Sequence, residues 1–162
     1  SKIDAQEKNI HLLNEEGSKL EDFEKNAQEY NELLAKNPID LQILSFGENG
    51  HIGFNEPNSD FDSLTQVVKL SEEKRREKIP IFGSFDNTPE YAITQGIKNI
   101  LQSKEVIIIA KGKEKAKAIN ELVNGVFTKN SPITALINHN GKVSVYTDEA
   151  AGSLVKEFQK KF

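Results

Sequence analysis

An α/β fold is predicted here: a three-layer, doubly wound arrangement in which a mostly parallel sheet is flanked by helices. Two short apolar runs of strand length, LQILSF at Leu41–Phe46 and EVIIIA at Glu105–Ala110, read as buried strands. Stretches with helical periodicity alternate with them, which is the pattern of parallel α/β sheets. No internal repeat or low-complexity linker breaks the alternation.

The elements follow in order. Ser18 to Lys36 reads as an amphipathic helix, with Leu20, Phe23, Ala27, Tyr30 and Leu33/Leu34 at three- and four-residue steps. Ser18 with Glu21 matches a capping box, and Asn37-Pro38 stops the helix. The first strand, Leu41–Phe46, runs into a loop from Gly47 to Ser63 rich in Gly, Asn, Pro, Asp and Ser. Thr65–Leu70 reads as a second short strand, and Ser71–Lys78 is charged and helical in tendency. Thr88-Pro89 forms a good cap and first-turn pair, predicting a helix from there to about Gln102. After the EVIIIA strand, Gly112 leads into a helix over Lys113–Val123, and Ser131-Pro132 starts another short helix. Asn140-Gly141 signals a turn before a strand at Val143–Tyr146. Asp148–Phe158 reads as a final helix. The segment before Ser18 is the least periodic, more natural as the continuation of something upstream than as the start of a fold. The chain opens on Ser1 and has no methionine, so it is not expected to begin at a start codon: it is a processed or truncated piece, or the sequence is missing residues.

Composition narrows the function. The 162 residues suit one domain, or most of a larger one. With 36% apolar and 28% charged residues in periodic blocks, a folded chain is expected. No stretch approaches the roughly 20 apolar residues of a membrane span, so no membrane partner is expected. Lys and Arg number 21 against 25 Asp and Glu, a net charge of −4 that argues against a nucleic-acid binder. There are no cysteines, which removes thiol nucleophiles, disulfides and Cys zinc sites and fits a reducing, cytoplasmic setting.

The chemistry concentrates in Gly47-Glu48-Asn49-Gly50-His51-Ile52-Gly53-Phe54-Asn55-Glu56-Pro57, directly after a predicted strand. Ligands of parallel α/β sheets bind at the carboxyl ends of strands. His51 can move a proton near neutral pH. Glu56 is close enough along a folded loop to orient it or pair with its charge, and Asn49 can hydrogen-bond to either. A histidine between an amide and a carboxylate suits general acid–base work. On spacing alone a purely structural glycine loop reads equally well. The glycines match neither the dinucleotide nor the P-loop pattern. One histidine with scattered carboxylates makes a poor metal site, so no metal and no organic cofactor is expected. His11 and His139 read as structural or surface residues, Phe54 as packing beneath the loop, and Lys111–Lys117 as a solvated charge run.

The run GENGHIGFNEP, preceded by IDLQIL and followed by NSDFDS, closely resembles the glucosamine-6-phosphate deaminase (glucosamine-6-phosphate isomerase) family. TPEYAITQGIKNIL, EVIIIAKGKEKAKAI and VYTDEAAGSL resemble the family's later segments in the same order. The resemblance runs from about Ile10 onward and implies that residues 1–162 are the C-terminal part of a single sugar-phosphate isomerase/deaminase domain lacking its N-terminal strands. The related sugar lactonases share a Gly-Asp-Gly-His loop but not the Phe-Asn-Glu-Pro continuation. The implied activity is conversion of glucosamine 6-phosphate to fructose 6-phosphate and ammonia, by ring opening and aldose–ketose isomerisation. By resemblance His51 is the acid–base group on the ring oxygen, with Asn49 and Glu56 holding its tautomer and charge. Gly50 and Lys115 would bind substrate, Lys115 through its phosphate. The implied partner is the small amino sugar phosphate, and a homo-oligomer is plausible.

Three departures stand out. The family's enolisation base lies in an Asp-Glu-Tyr run upstream of the region covered, and Asp4 and Asp22 have the wrong surroundings to replace it. The family's phosphate-contacting arginine falls ten residues after Leu70, where this chain has Pro80; Arg75 and Arg76 are nearby. The Arg and Lys of allosterically activated members are Gln66 and Val68 here. Two alternatives therefore stand beside the leading reading: a galactosamine-6-phosphate isomerase/deaminase, or a truncated, non-catalytic sugar-phosphate-binding relative.

Overall fold

The computed structural model describes residues 4–14 and 19–156. Its centre is a three-stranded parallel sheet in the order β1 (Leu41–Leu44), β4 (Glu105–Ala110), β5 (Lys142–Thr147). A separate antiparallel pair joins β2 (Gln66–Lys69) to β3 (Tyr91–Thr94). The helices are α1 (Leu20–Lys36), α2 (Glu72–Phe82), α3 (Ile97–Leu101) and α4 (Ala116–Val123). The α/β class therefore holds, with helices flanking a mostly parallel sheet.

β4 alternates as its sequence demands. Val106, Ile108 and Ala110 are buried on one face, where Ile119 and Leu122 of α4, and Ile133 and Leu136 of the 3-10 turn Pro132–Asn138, complete the core. Burying side chains such as Ile108 and Ile119 stabilises the fold by about 1.5–3 kcal/mol each. On the opposite face Leu41, Ile43, Ile109 and Tyr146 are exposed, although parallel strands are usually covered on both faces.

Other elements depart from the sequence reading. The helix expected from Thr88 to Gln102 is β3 followed by the short α3. Tyr91, Ala92, Ile93 and Thr94 pair with Lys69, Val68, Val67 and Gln66, so a strand partner contributed from elsewhere in the chain outweighs the Thr-Pro capping signal. The Thr88 hydroxyl instead donates to Ser84 O at 2.8 Å, closing the preceding loop. Gly96 sets where α3 begins: a Cβ there would run into the carbonyls of Ser63 and Leu64. The expected final helix is also corrected within the described residues, where 149–154 form consecutive turns. The Asp148 carboxylate draws that backbone inward, accepting from Ala151 N at 2.8 Å and Gly112 N at 3.2 Å. Residues 157 and 158 of that expected helix, and Ser18 of the capping box, lie outside the described residues. At the start of α1 the Lys19 N–H donates to Asp22 Oδ2 at 3.2 Å. α2 runs past Lys78 to Phe82 with Pro80 inside it, and Ser71 Oγ caps it by accepting from Lys74 N at 3.3 Å.

Candidate active site

The loop after β1 folds back on itself through short backbone bonds. Gly47 N donates to His51 O at 2.8 Å and Gly50 N to Gly47 O at 3.0 Å. Gly50 has φ 81°, and a Cβ there would press on Ser131, 3.1 Å from its Cα. Glycine is therefore required on both conformational and steric grounds. Gly50 O in turn accepts from Ile133 N at 2.8 Å, tying the loop to the core turn. On the other side Phe54 N donates to Thr94 Oγ1 at 3.1 Å, and the buried Asn55 donates through Nδ2 to Ile52 O and Gln95 O, both at 2.8 Å. The β2–β3 pair thus backs the loop.

The half-buried His51 sits over Gly47, where a Cβ would fall inside the imidazole, 2.5 Å from Nε2. Its Nδ1 is 2.7 Å from Asn49 Oδ1, and its backbone N donates to the same oxygen at 3.1 Å. Asn49 Nδ2 donates to Glu56 Oε2 at 3.0 Å. These bonds orient the amide: an oxygen that accepts from a backbone N–H must be Oδ1, so Nδ2 faces the carboxylate. His51 Nδ1 then carries the proton, and Nε2 keeps a lone pair. Glu56 lies 3.8 Å from Nδ1 and acts on the ring by charge, through Asn49.

Burial pushes the His51 imidazole below its ordinary value. Glu56 opposes this, and the ammonium groups of Lys74 and Lys115 add to the lowering. His51 therefore stays a neutral base at neutral pH. Lys115 belongs to a 3-10 turn, Lys113–Lys115, that follows β4 at Gly112, and its Nζ lies 5.6 Å from the centroid of the Phe46 ring. The Asp148 carboxyl that anchors this turn is held below the usual range by the N–H groups of Ala151 and Gly112.

His51, Asn49, Glu56 and Gly50 thus lie in one loop, with Lys115 close enough to act electrostatically on His51. Lys74 was not legible as part of this group. Its Nζ is 3.6 Å from Glu56 Oε1, a contact made by α2 packing rather than by any local motif. Arg75 does not join it: its guanidinium donates to Phe85 O at 3.1 Å and Thr88 O at 2.9 Å and stacks 4.0 Å over the Phe85 ring. Arg76 pairs with Glu72 at 3.6 Å and Pro80 is exposed, so α2 turns neither arginine to His51. A groove of about 380 Å³ between α1, α2 and β3 shares Phe54 and Lys74 with the site but is otherwise mainly apolar. His139 is structural, accepting from Gly141 N through Nδ1 at 3.0 Å. Among the described residues no cluster of three or more His, Cys, Asp or Glu could hold a metal ion. No helix among them is long and apolar enough to cross a membrane.

The family model for glucosamine-6-phosphate isomerases/6-phosphogluconolactonase matches residues 1–145. This chain belongs to that family. It is 45% identical over 135 residues to a glucosamine-6-phosphate deaminase of Lactobacillus delbrueckii subsp. bulgaricus, a match covering 83% of this chain and 57% of the relative. It is 43% identical over 136 residues to the Bacillus cereus protein of that name, covering 84% and 52%. The structure of a monomeric glucosamine-6-phosphate deaminase superposes with TM-score 0.80 at 35% identity, covering 94% of this chain and 62% of that one. The fold extends to a 6-phosphogluconolactonase from Trypanosoma cruzi, with TM-score 0.64 at 20% identity, covering 86% of this chain and 55% of that one. The chain spans about half the length of the curated relatives it matches.

Proposed function

We propose that this chain carries the ring-opening half of an amino-sugar-phosphate deaminase/isomerase that converts glucosamine 6-phosphate and water to fructose 6-phosphate and ammonia. The observation that carries the reading is the His51–Asn49–Glu56 relay, which leaves Nε2 free, half-buried and unprotonated near pH 7. Ring opening breaks the bond between carbon 1 and the ring oxygen; a proton reaches that oxygen as one leaves the carbon 1 hydroxyl. A neutral imidazole with a fixed tautomer can shuttle that proton, an effect worth roughly 10²–10⁴ in rate. Asn49 holds the tautomer, and Glu56 stabilises the imidazolium while it exists.

In this reading Lys115, in the turn after the carboxyl end of β4, meets a dianionic phosphate as a point charge. Isomerisation then moves a proton from carbon 2 to carbon 1, and hydrolysis of the resulting imine releases ammonia. The base for the carbon 2 proton is assigned to an upstream segment, and residues 1–162 to the C-terminal part of the domain. The exposed apolar face at Leu41, Ile43, Ile109 and Tyr146 supports that assignment, because it lacks the cover parallel sheets carry.

The test is ammonia release from glucosamine 6-phosphate, by the 162-residue chain and by a polypeptide with the upstream segment restored, each with a His51→Asn control. The expected result is no turnover by the 162-residue chain alone and, with the upstream segment restored, turnover that disappears in the control. Turnover that survives it, or none with the upstream segment restored, overturns the reading.

A further inference from the structure

Glu56 divides its two oxygens between two elements. Oε2 accepts from Asn49 at 3.0 Å and lies 3.8 Å from His51 Nδ1, while Oε1 faces Lys74 Nζ at 3.6 Å. Lys74 is held in turn from its own helix, 3.4 Å from Glu77 Oε2. Its side chain is only 25% exposed, so solvent screens this pair less than a fully exposed one. The geometry points to Lys74 as a positioning residue for His51: from α2 it fixes the Glu56 carboxylate so that Oε2 serves Asn49, and its charge offsets that of Glu56 at the imidazole. The assignment rests on the reading of His51 as the acid–base group.

The charged groups acting on His51 come from three elements. Glu56 lies in its own loop, Lys74 and Glu77 come from α2, and Lys115 from the turn after β4. Burial alone would lower the Lys74 ammonium, but Glu56 and Glu77 reverse that and raise it above the ordinary lysine value. Lys74 is therefore fully charged wherever His51 titrates. Removing the charge has two effects of the same sign. A cation that disfavours the imidazolium is lost, and the charge of Glu56, still tethered through Oε2 to Asn49 at 3.0 Å, is no longer offset at the ring. A neutral residue at 74 should thus make His51 easier to protonate, narrowing on the acid side the range in which it serves as a base.

The experiment is titration of the His51 Cε1–H resonance by NMR in the 162-residue chain, assigned by its loss in His51→Asn. Lys74→Gln, Lys74→Arg and Glu77→Gln are compared with the parent, with amide dispersion as the check on folding. Lys74→Gln should raise the His51 midpoint by roughly half a pH unit. Lys74→Arg should keep it near the parent, and Glu77→Gln should lower it. A rise of less than about 0.2 unit in Lys74→Gln, or the same rise in Lys74→Arg, overturns the assignment. An ion pair that only fastens α2 would shift thermal stability slightly and leave the titration in place. If Lys74→Gln does not fold, Lys74→Met takes its place: the same rise is expected there, and a rise of less than about 0.2 unit overturns the assignment. The titration needs no turnover, so its failure is distinguishable from failure of the deaminase reading. In an active preparation the acid limb of the kcat/KM profile should move up by the same amount as the midpoint.

Discussion

Gly47→Ala puts the placement of His51 to a quantitative test. A Cβ at Gly47 would lie 2.5 Å from His51 Nε2 and closer still to other ring atoms. Ordinary contact begins near 3.4 Å, so Nε2 must retreat by about 0.9 Å and the ring as a whole by at least that much. Moved so far, Nδ1 leaves hydrogen-bond range of Asn49 Oδ1, now 2.7 Å away. A misplacement of about 1 Å in a catalytic constellation costs on the order of 10² in rate. The backbone tolerates the change, because Gly47 is outside the left-handed region. Overpacking strain of about 1–3 kcal/mol is partly offset by the ~0.4–1 kcal/mol an alanine gains in the unfolded chain. The expected outcome is a folded protein, destabilised by at most about 2.5 kcal/mol, with kcat for ammonia release down roughly 100-fold. Gly125→Ala is the control: it has φ 71° with nothing within 4 Å, so it should cost about 1 kcal/mol of stability and no activity. Ammonia release is measured with the upstream segment present, and the His51 titration reads the displacement without turnover. Activity within about threefold of the parent and an unchanged His51 titration would refute the argument that Gly47 seats the imidazole.

Asn49→Asp replaces the Nδ2 donor with an oxygen facing Glu56 Oε2 and adds a negative charge beside Nδ1. The His51 midpoint should rise by roughly one pH unit, read by NMR; a fall would contradict the placement of residue 49 beside Nδ1. Stability should depend on pH through His51 with a definite sign. Its folded value is lowered, so the unfolded chain binds the extra proton, and stability falls as pH drops through about 6.5 toward the folded value. Denaturant midpoints from pH 8 to 5, flattened in His51→Gln relative to the parent, check this. With Pro80 exposed and Arg75 held by Phe85 and Thr88, phosphate recognition should be weaker than a bidentate arginine would supply. KM for glucosamine 6-phosphate against the unphosphorylated sugar measures it, and a preference above about 10³-fold would sink the idea. With Gln66 and Val68 in β2 in place of a cationic pair, an N-acetylated sugar phosphate should not activate the enzyme through that position; a saturable activation curve would overturn this.

Where residues within a few positions decide a conformation, the sequence was readable. LQIL and EVIIIA carried enough β-branched and apolar character to be recognised as strands, and α1 showed its apolar face through spacing. The loop chemistry of His51, Asn49 and Glu56 was legible because all three lie within a few residues, where a turn must bring them together. The stretch YAIT was misread. Its helix signal, Thr88-Pro89, is local, whereas its strand partner QVVK lies more than 20 residues upstream. The final helix failed for a similar reason. Asp148 turns its carboxylate toward Gly112, a residue on another strand's exit, and the backbone that follows forms turns instead.

The amino-acid order was enough to reach the α/β class, the family, and the histidine loop with its glycines, since those rest on periodicity, turn chemistry and contiguous motif. Packing in three dimensions decided which cations lie near that loop. Arg75, Arg76, Lys74 and Lys78 are indistinguishable as a charge run. The capped geometry of α2 turns Lys74 to Glu56 and Arg75 to Phe85 and Thr88. Charge–charge contacts depend on separations of a few ångströms between side chains from different elements, and no spacing along the chain encodes them.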